Sequence, residues 1–158
     1  MKFLILGNMN AITHKEVFPL IKDGKVQLGY GHPKNFLGPD GELTKPVFTC
    51  WYTSLPHGKK NPELTLTKTY NPLEYPKYDN YDAIEVPKVK DIPMDWKGQM
   101  GVPITFLDKF NSDQFEILGN IGAYAPDGYS LGSAIYANGT AIYKRLVIRN
   151  KKPVGGKT

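Results

Sequence analysis

The sequence holds one cysteine, Cys50, which excludes an internal disulfide framework and a cysteine-ligated zinc cluster. Its three histidines, His14, His32 and His57, stand far apart with no acidic partner at ligand spacing, which argues against a metal centre or a catalytic triad. No apolar run reaches the length of a membrane span. The opening Met1-Lys2-Phe3-Leu4-Ile5-Leu6 is too short for the apolar core of a signal peptide. A reducing cytoplasm is the expected location. Internal repeats and low-complexity blocks are missing as well. What remains is an ordinary globular composition of 158 residues, 41% hydrophobic and 22% charged. That length suits a single domain, expected over residues 1–150, with 151–158 a basic, flexible tail. A formal charge of +5 permits a polyanionic partner without requiring one.

The segment with the clearest internal logic is 101–119, GVPITFLDKFNSDQFEILG. Phe106, Leu107 and Phe110 recur at one-turn spacing, which predicts a short amphipathic helix over 103–110, with Pro103 suited to its first turn. Asn111-Ser112-Asp113 is a turn cluster, and 115–118 is a strand closing at Gly119. This is a packing hub, core rather than chemistry. Upstream, Phe3-Leu4-Ile5-Leu6 is a continuous apolar run of the kind that lies in a parallel sheet covered on both faces. Thr13-His14-Lys15-Glu16 reads as a capping box opening a helix that Gly24 stops, with Pro19 expected to kink or shorten it. Residues 26–28 begin a second strand. Residues 29–45 are a glycine-rich loop with an Asp40-Gly41 turn and room for a short hairpin. Residues 47–55 and 64–70 read as an antiparallel pair. Residues 71–93 hold four prolines and several tyrosines and read as an ordered surface excursion. A glycine-rich loop is expected over 119–132. A closing hairpin is expected over 133–149, turning at Asn138-Gly139, a pair that favours the type I′ turn because both positions need positive φ.

Several blocks together carry a resemblance. They are KFLILGNMNAITHKEVFPLIKDGKVQLG (2–29), FTCWYTSL (48–55), YPKYDNYDAIEV (75–86), the 101–119 segment and ANGTAIYKRLVIRNK (137–151). The chain resembles the C-terminal part of the EcoRI-type adenine-specific DNA methyltransferases. The resemblance implies an α/β fold, a mixed sheet like the later half of a Rossmann-like methyltransferase sheet, with long loops and a C-terminal β-hairpin. It implies N6-adenine methylation of DNA in a restriction-modification or phage system, with S-adenosylmethionine as cofactor of full-length members. An adenine-N6 methyltransferase needs a glycine-rich turn for that cofactor and a [D/N]-P-P-aromatic loop for the extruded base. Asn71-Pro72-Leu73-Glu74 lacks the second proline and the aromatic, and Asp91-Ile92-Pro93-Met94 fails likewise. No cofactor is therefore expected to bind this chain alone, which is read as inactive by itself. The rival readings are a non-catalytic nucleic-acid-binding module and a protein that completes a methyltransferase by pairing with a separate N-terminal half.

The candidate site residues follow from chemistry and position. The turn Gly7-Asn8-Met9-Asn10 follows the first strand but has no second glycine where a pyrophosphate would approach. In the methyltransferase reading its Asn8 and Asn10 line the edge of the substrate pocket; otherwise it is a plain turn. Trp51-Tyr52 offers a stacking face for a base, or else packs one ring in the core. Gly119-Asn120-Ile121-Gly122 suggests a cofactor loop superficially, but no capped helix follows and a turn is the simpler reading. Asp79 and Asp82 are either cation ligands or solvated loop carboxylates. Lys144, Arg145, Arg149, Lys151 and Lys152 form the densest basic cluster and are candidates for the DNA backbone. Arg145 and Arg149 share a strand face with Val147 between them, so one of them is open to a structural pairing.

Overall fold

The structure is a computed structural model that describes residues 1–45, 48–56, 58, 60–121 and 134–155. It is a mixed α/β protein with several small sheets, mostly strands and few helices. Its contacts group the chain into two compact units, Met1–Lys59 and Lys60–Thr158.

The first unit contains β1 (Leu4–Asn8), β2 (Gln27–Leu28), β3 (Phe36–Leu37), β4 (Leu43–Thr44) and β5 (Thr49–Thr53). The apolar opening does form a strand, but not a buried parallel one. Strand β5 is central in a three-stranded antiparallel sheet, and β1 lies at its edge. Leu4 and Ile5 project to opposite faces and are 56% and 55% exposed. The predicted capping box does not open a helix either. Thr13 closes a 3₁₀ turn over Met9–Thr13, its hydroxyl donating to the Asn10 carbonyl at 3.1 Å. The α-helix, α1 (Phe18–Lys22), starts later. That placement puts Pro19 in the first turn, where its missing N–H costs nothing, so no kink is needed. Gly24 ends it at φ +71°. Ile12, Phe18, Val26, Cys50 and Tyr52 are buried in this unit. Strands β3 and β4 form the small hairpin that the Asp40-Gly41 turn suggested, with Gly41 at φ +81°.

The second unit contains β6 (Ile84–Glu85), β7 (Gln99–Val102), β8 (Phe115–Ile121), β9 (Ile135–Ala137), β10 (Thr140–Ile142) and β11 (Arg145–Asn150). Its main sheet runs β6-β7-β11-β8, parallel between β6 and β7 and antiparallel elsewhere. Leu146 pairs with Val102 and Ile148 with Met100, so these four side chains share one face. The hub packs as expected, though its helix is a 3₁₀ helix over Ile104–Lys109 with Pro103 as its cap. Phe106 and Phe115 meet edge to face, 5.3 Å between centroids at 88°, and both are fully buried. On the opposite face Val147 clusters with Tyr78, Ala83, Ile121, Ile135 and Ala137. The ring of Tyr78 lies over Gly101, where a Cβ would overlap its hydroxyl.

Three expectations change here. Residues 64–70 form no strand and do not pair with β5. Their first residue is held instead by the Gln114 side-chain amide, which accepts from Leu64 N–H at 2.7 Å and donates to its carbonyl at 2.8 Å. Residues 119–121 continue β8, so no turn forms at Gly119; residues 122–133 lie outside those described. The closing hairpin is β9 and β10 alone, with Asn138 and Gly139 at φ +51° and +74° as the type I′ turn requires. Strand β11 belongs to the other sheet. The 71–93 excursion is pinned by aromatics: the Tyr70 and Trp96 rings that flank it pack 4.2 Å apart, tilted by 34°, and the Tyr75 hydroxyl donates to the Asp91 carbonyl at 2.7 Å.

Deleting the hub rings tests this packing. Phe106→Ala and Phe115→Ala should each cost about 3–5 kcal/mol in chemical denaturation, since each leaves a cavity. Phe110→Ala should cost clearly less, because that ring is only half-buried. Equal losses at all three positions would show the core to be misplaced.

Candidate functional site

The turn after β1 is built by its own side chains. Asn8 caps the 3₁₀ helix, its Oδ1 accepting from Asn10 N–H at 2.8 Å, and its carbonyl accepts from the Tyr52 hydroxyl at 2.8 Å. Burial, and after it the hydrogen bond with Cys50, hold the Tyr52 phenol above its ordinary range, so it is a neutral donor. Tyr52 is therefore part of the core of its unit. Trp51 points the other way, as neighbours on a strand must. It lines an apolar groove of about 290 Å³ with Leu4, Gly29, Tyr30, Thr53 and Leu55. The structure thus joins Asn8, Asn10 and Tyr52 by hydrogen bonds and turns Trp51 to a different surface. None of the described residues lining the groove is a carboxylate that could take ribose hydroxyls, and the Asn8 Oδ1 is engaged by Asn10 N–H. These residues do not fit the nucleoside end of S-adenosylmethionine.

The basic cluster divides into separate environments. Arg145 lies inside the protein with its side chain only 15% exposed. Its Nη2 is 2.7 Å from Oε1 of Glu85, itself 5% exposed, and its Nε donates to the same oxygen at 3.0 Å. The Tyr78 hydroxyl donates to the other Glu85 oxygen. Burial foremost, and then that carboxylate, push the Tyr78 phenol up. Arg145 thus has a structural partner, the pairing left open for one of the two arginines of this strand. Arg149 faces its cross-strand neighbour Glu116 at 3.6 Å, both about half exposed. Lys144 lies beside the Tyr143 ring, 5.9 Å from its centroid.

Lys151 and Lys152 do come together, and with an unexpected third cation. Lys60 contacts Asp113 at 2.7 Å, Lys152 pairs with Glu63, and Lys151 Nζ donates to the Ser112 carbonyl at 2.8 Å. The tail is tied down locally: Lys151 N–H donates to the Gln114 carbonyl and Val154 N–H to the Met94 carbonyl, both at 2.8 Å. Lys60 holds the Asp113 carboxyl below its ordinary value, by its hydrogen bond first and its charge second, with weaker help from Lys152 and Lys151. Three ammonium groups against two carboxylates leave this patch one net positive charge, which makes it a modest attractor of polyanions.

Sequence reasoning missed Glu85, Asp113 and Lys60 because their charged partners lie 53 to 60 residues away, and Tyr78 because its role depends on that same Glu85. Asp79 also has a definite task. Its two carboxylate oxygens accept from Asn138 N–H at 3.2 Å and Gly139 N–H at 2.8 Å, bracing the β9–β10 turn. Asp82 faces Lys77 at 3.7 Å. No group of three or more metal-ligating side chains occurs among the described residues, and no helix among them is long and apolar enough to cross a membrane. His57 and Lys59 lie outside the described residues.

A family model described as "Adenine-specific methyltransferase EcoRI" matches residues 1–151. The chain is similar to Type II methyltransferase M.EcoRI of Escherichia coli, 40% identical over 171 residues, covering 96% of this chain and 51% of that protein. Type II methyltransferase M.MpnI of Mycoplasma pneumoniae is 41% identical over 143 residues, covering 74% and 43% respectively. Type II methyltransferase M.MgeORF184P of Mycoplasma genitalium is 32% identical over 182 residues, covering 96% and 57%. The chain therefore spans about half the length of the curated relatives it matches. No solved structure matches it.

Two measurements check the electrostatics. Glu85→Gln leaves the Arg145 guanidinium buried without its counter-charge and should destabilise by about 3–5 kcal/mol. Glu85→Leu combined with Arg145→Met should lose less than either change alone. In an NMR titration the Asp113 carboxyl should titrate below its ordinary 3.8, and Lys60→Ala should return it towards that value. The sign is that of a depressed acid: its contribution is present above the ordinary value and is lost as pH falls through the lowered one.

Proposed function

Because the chain belongs to the EcoRI-type adenine-specific methyltransferase family, we propose that it is the C-terminal part of a DNA N6-adenine methyltransferase of a restriction-modification or phage system. It supplies later sheet strands and a DNA-facing surface to the whole enzyme. The observation that carries this is the family match over residues 1–151 combined with coverage of about half of each relative. S-adenosylmethionine is the methyl donor of the complete enzyme. In this reading the residues that hold the donor and flip the base lie in the remainder, since Asn8, Asn10 and Trp51 do not assemble a site for it. No catalytic step is assigned to them. Asn8 and Asn10 remain edge residues of the substrate pocket, and Trp51 a ring with an accessible face.

DNA is the proposed partner, held by Lys151, Lys152 and Arg149 with Lys60 beside them and Lys144 at the neighbouring edge. Each of these except Lys144 also has an internal oxygen partner, so a phosphate must compete for it. Affinity of the chain alone should therefore be weak and electrostatic. Non-specific dissociation constants of roughly 10⁻⁴–10⁻⁶ M are the scale, with a slope of about −0.9 in log affinity against log salt for each phosphate neutralised.

Two assays decide. With tritiated S-adenosylmethionine and adenine-containing duplex DNA, the chain alone should transfer no methyl group, and calorimetry should show no heat with the cofactor. Micromolar cofactor binding would overturn the reading of this chain as a part. In DNA titrations at several salt concentrations, charge reversal at Arg149, Lys151 and Lys152 should weaken binding and flatten the slope, while Lys77→Glu, at the position facing Asp82, should not. Lys60→Glu should behave like the first set, because it sits in the same patch. An unchanged slope in that set would place the DNA face elsewhere.

A further inference from the structure

We infer that a cleft beside the basic patch, between residues 64–66 and the 3₁₀ segments Val89–Asp91 and Ile104–Lys109, holds one sugar–phosphate unit of a DNA strand. The inference rests on the proposed function for the identity of the strand. Its physical basis is separate. The cleft measures about 380 Å³, the scale of a site for a small organic group. Its walls are fixed by the protein's own hydrogen bonds. At one end Gln114 clamps both backbone groups of Leu64. The residues before it are stitched down as well: the Asn61 amide donates to the Phe110 carbonyl at 2.9 Å, and the Asn111 amide to the Asn61 carbonyl at 2.6 Å. At the other end Met94 N–H donates to the Lys68 carbonyl at 2.8 Å. The same scaffold carries the patch, since Glu63 and Asp113, the partners of Lys152 and Lys60, adjoin Leu64 and Gln114 in the chain. Patch and cleft are therefore continuous.

The lining selects the occupant. Leu64, Leu66 and Val89 are partly buried and form its apolar part, while Thr65, Lys90, Thr105 and Lys109 are exposed around it. Lys60, Lys151 and Lys152 are each held by an internal oxygen. The ammonium groups of Lys90 and Lys109 have no such partner among the described residues, so a phosphate meets no competitor there. The Thr65 and Thr105 hydroxyls are likewise open, and both are donors of the kind that hold backbone phosphates. Asp108 is the one carboxylate among the described lining residues, so the two ammonium groups leave the cleft one net positive charge. Inorganic phosphate would use these edge groups and leave Leu64, Leu66 and Val89 in water. A deoxyribose covers that apolar surface with its carbon atoms while its phosphate stays at the edge. No aromatic ring is among the described lining residues, so a base finds no face to stack on. The cleft thus grips the backbone of the strand and is indifferent to its sequence.

The experiment titrates the methyl-labelled chain with a single-stranded deoxyoligonucleotide, with the same strand stripped of its bases, with inorganic polyphosphate and with polyglutamate. NMR reads the methyl groups of Leu64, Leu66 and Val89. Both strands should move these signals and bind equally to within about twofold, since each stacked base would add about fivefold or more. Polyphosphate should bind severalfold more weakly and leave the methyl signals in place. Lys90→Gln combined with Lys109→Gln should flatten the salt slope of the strand by about 0.9 for the phosphate lost. Lys77→Glu should not. Both lysines are exposed, so unchanged melting checks that the variant folds, and the methyl shifts of the wild-type chain decide if it does not. Still methyl signals at saturating DNA, a need for bases, an unchanged slope in the folded double variant, or equal shifts with polyphosphate would each overturn the inference. Shifts with polyglutamate as tight as those with DNA would also overturn it and assign the cleft to an acidic protein segment. If the cleft is silent while reversal at Arg149, Lys151 and Lys152 still weakens binding, the cleft fails and the proposed DNA face stands. If the cleft signals move and that reversal has no effect, the cleft stands and the patch fails.

Discussion

The contact between Arg145 and Glu85 is the constraint around which the second unit is arranged. Strand β11 is interior to the main sheet, and the Arg145 side chain at its start is only 15% exposed. A guanidinium in that position needs a carboxylate of matching geometry, and Glu85 at the far edge of the same sheet provides it. The second carboxylate oxygen needs a donor in turn, which is the Tyr78 hydroxyl. Tyr78 can reach it only by crossing Gly101, the residue opposite Val147, and only a position without a Cβ lets it do so. The charge on one strand thus dictates the identity of residues on a second strand and on the preceding excursion.

Local chemistry was legible in the sequence and long-range partnership was not. Asn138-Gly139 announces its turn because positive φ at both positions is a property of those two residues. Gly24 ends its helix for the same kind of reason. Phe106 and Phe115 were readable as a hub because their contact is closed by a short turn. The pairing of β5 was misread because 64–70 has the alternation of a strand, and nothing in its residues reveals that Gln114 will hold its backbone with a side-chain amide. The capping box failed through a near neighbour: Asn10 offers Thr13 a carbonyl one turn back, and Pro19 is stable only near a helix start. Arg145 looked like its basic neighbours because a count of charges does not include a glutamate placed opposite by folding.

Membership of a methyltransferase family changes the meaning of the first unit's surface. Taken as an isolated protein, the exposure of Leu4, Ile5 and Tyr30 is a departure from ordinary burial. The chain spans about half the length of the relatives it matches. The second unit shows no comparable deficit along its central strand: Leu146, Val147 and Ile148 are fully buried by their own surroundings.

The sequence separation of the Arg145–Glu85 contact bears on the order in which the second unit forms. The two residues are 60 apart in the chain, so their meeting closes a long loop whose entropy must be lost before the ion pair can compensate. The Phe106–Phe115 contact closes a short one. Folding that begins at the aromatic hub and reaches the ion pair last follows from that difference. Until then the guanidinium and the carboxylate each stay hydrated. A contact made that late is felt in the stability of the folded unit and in its rate of unfolding more than in its rate of folding.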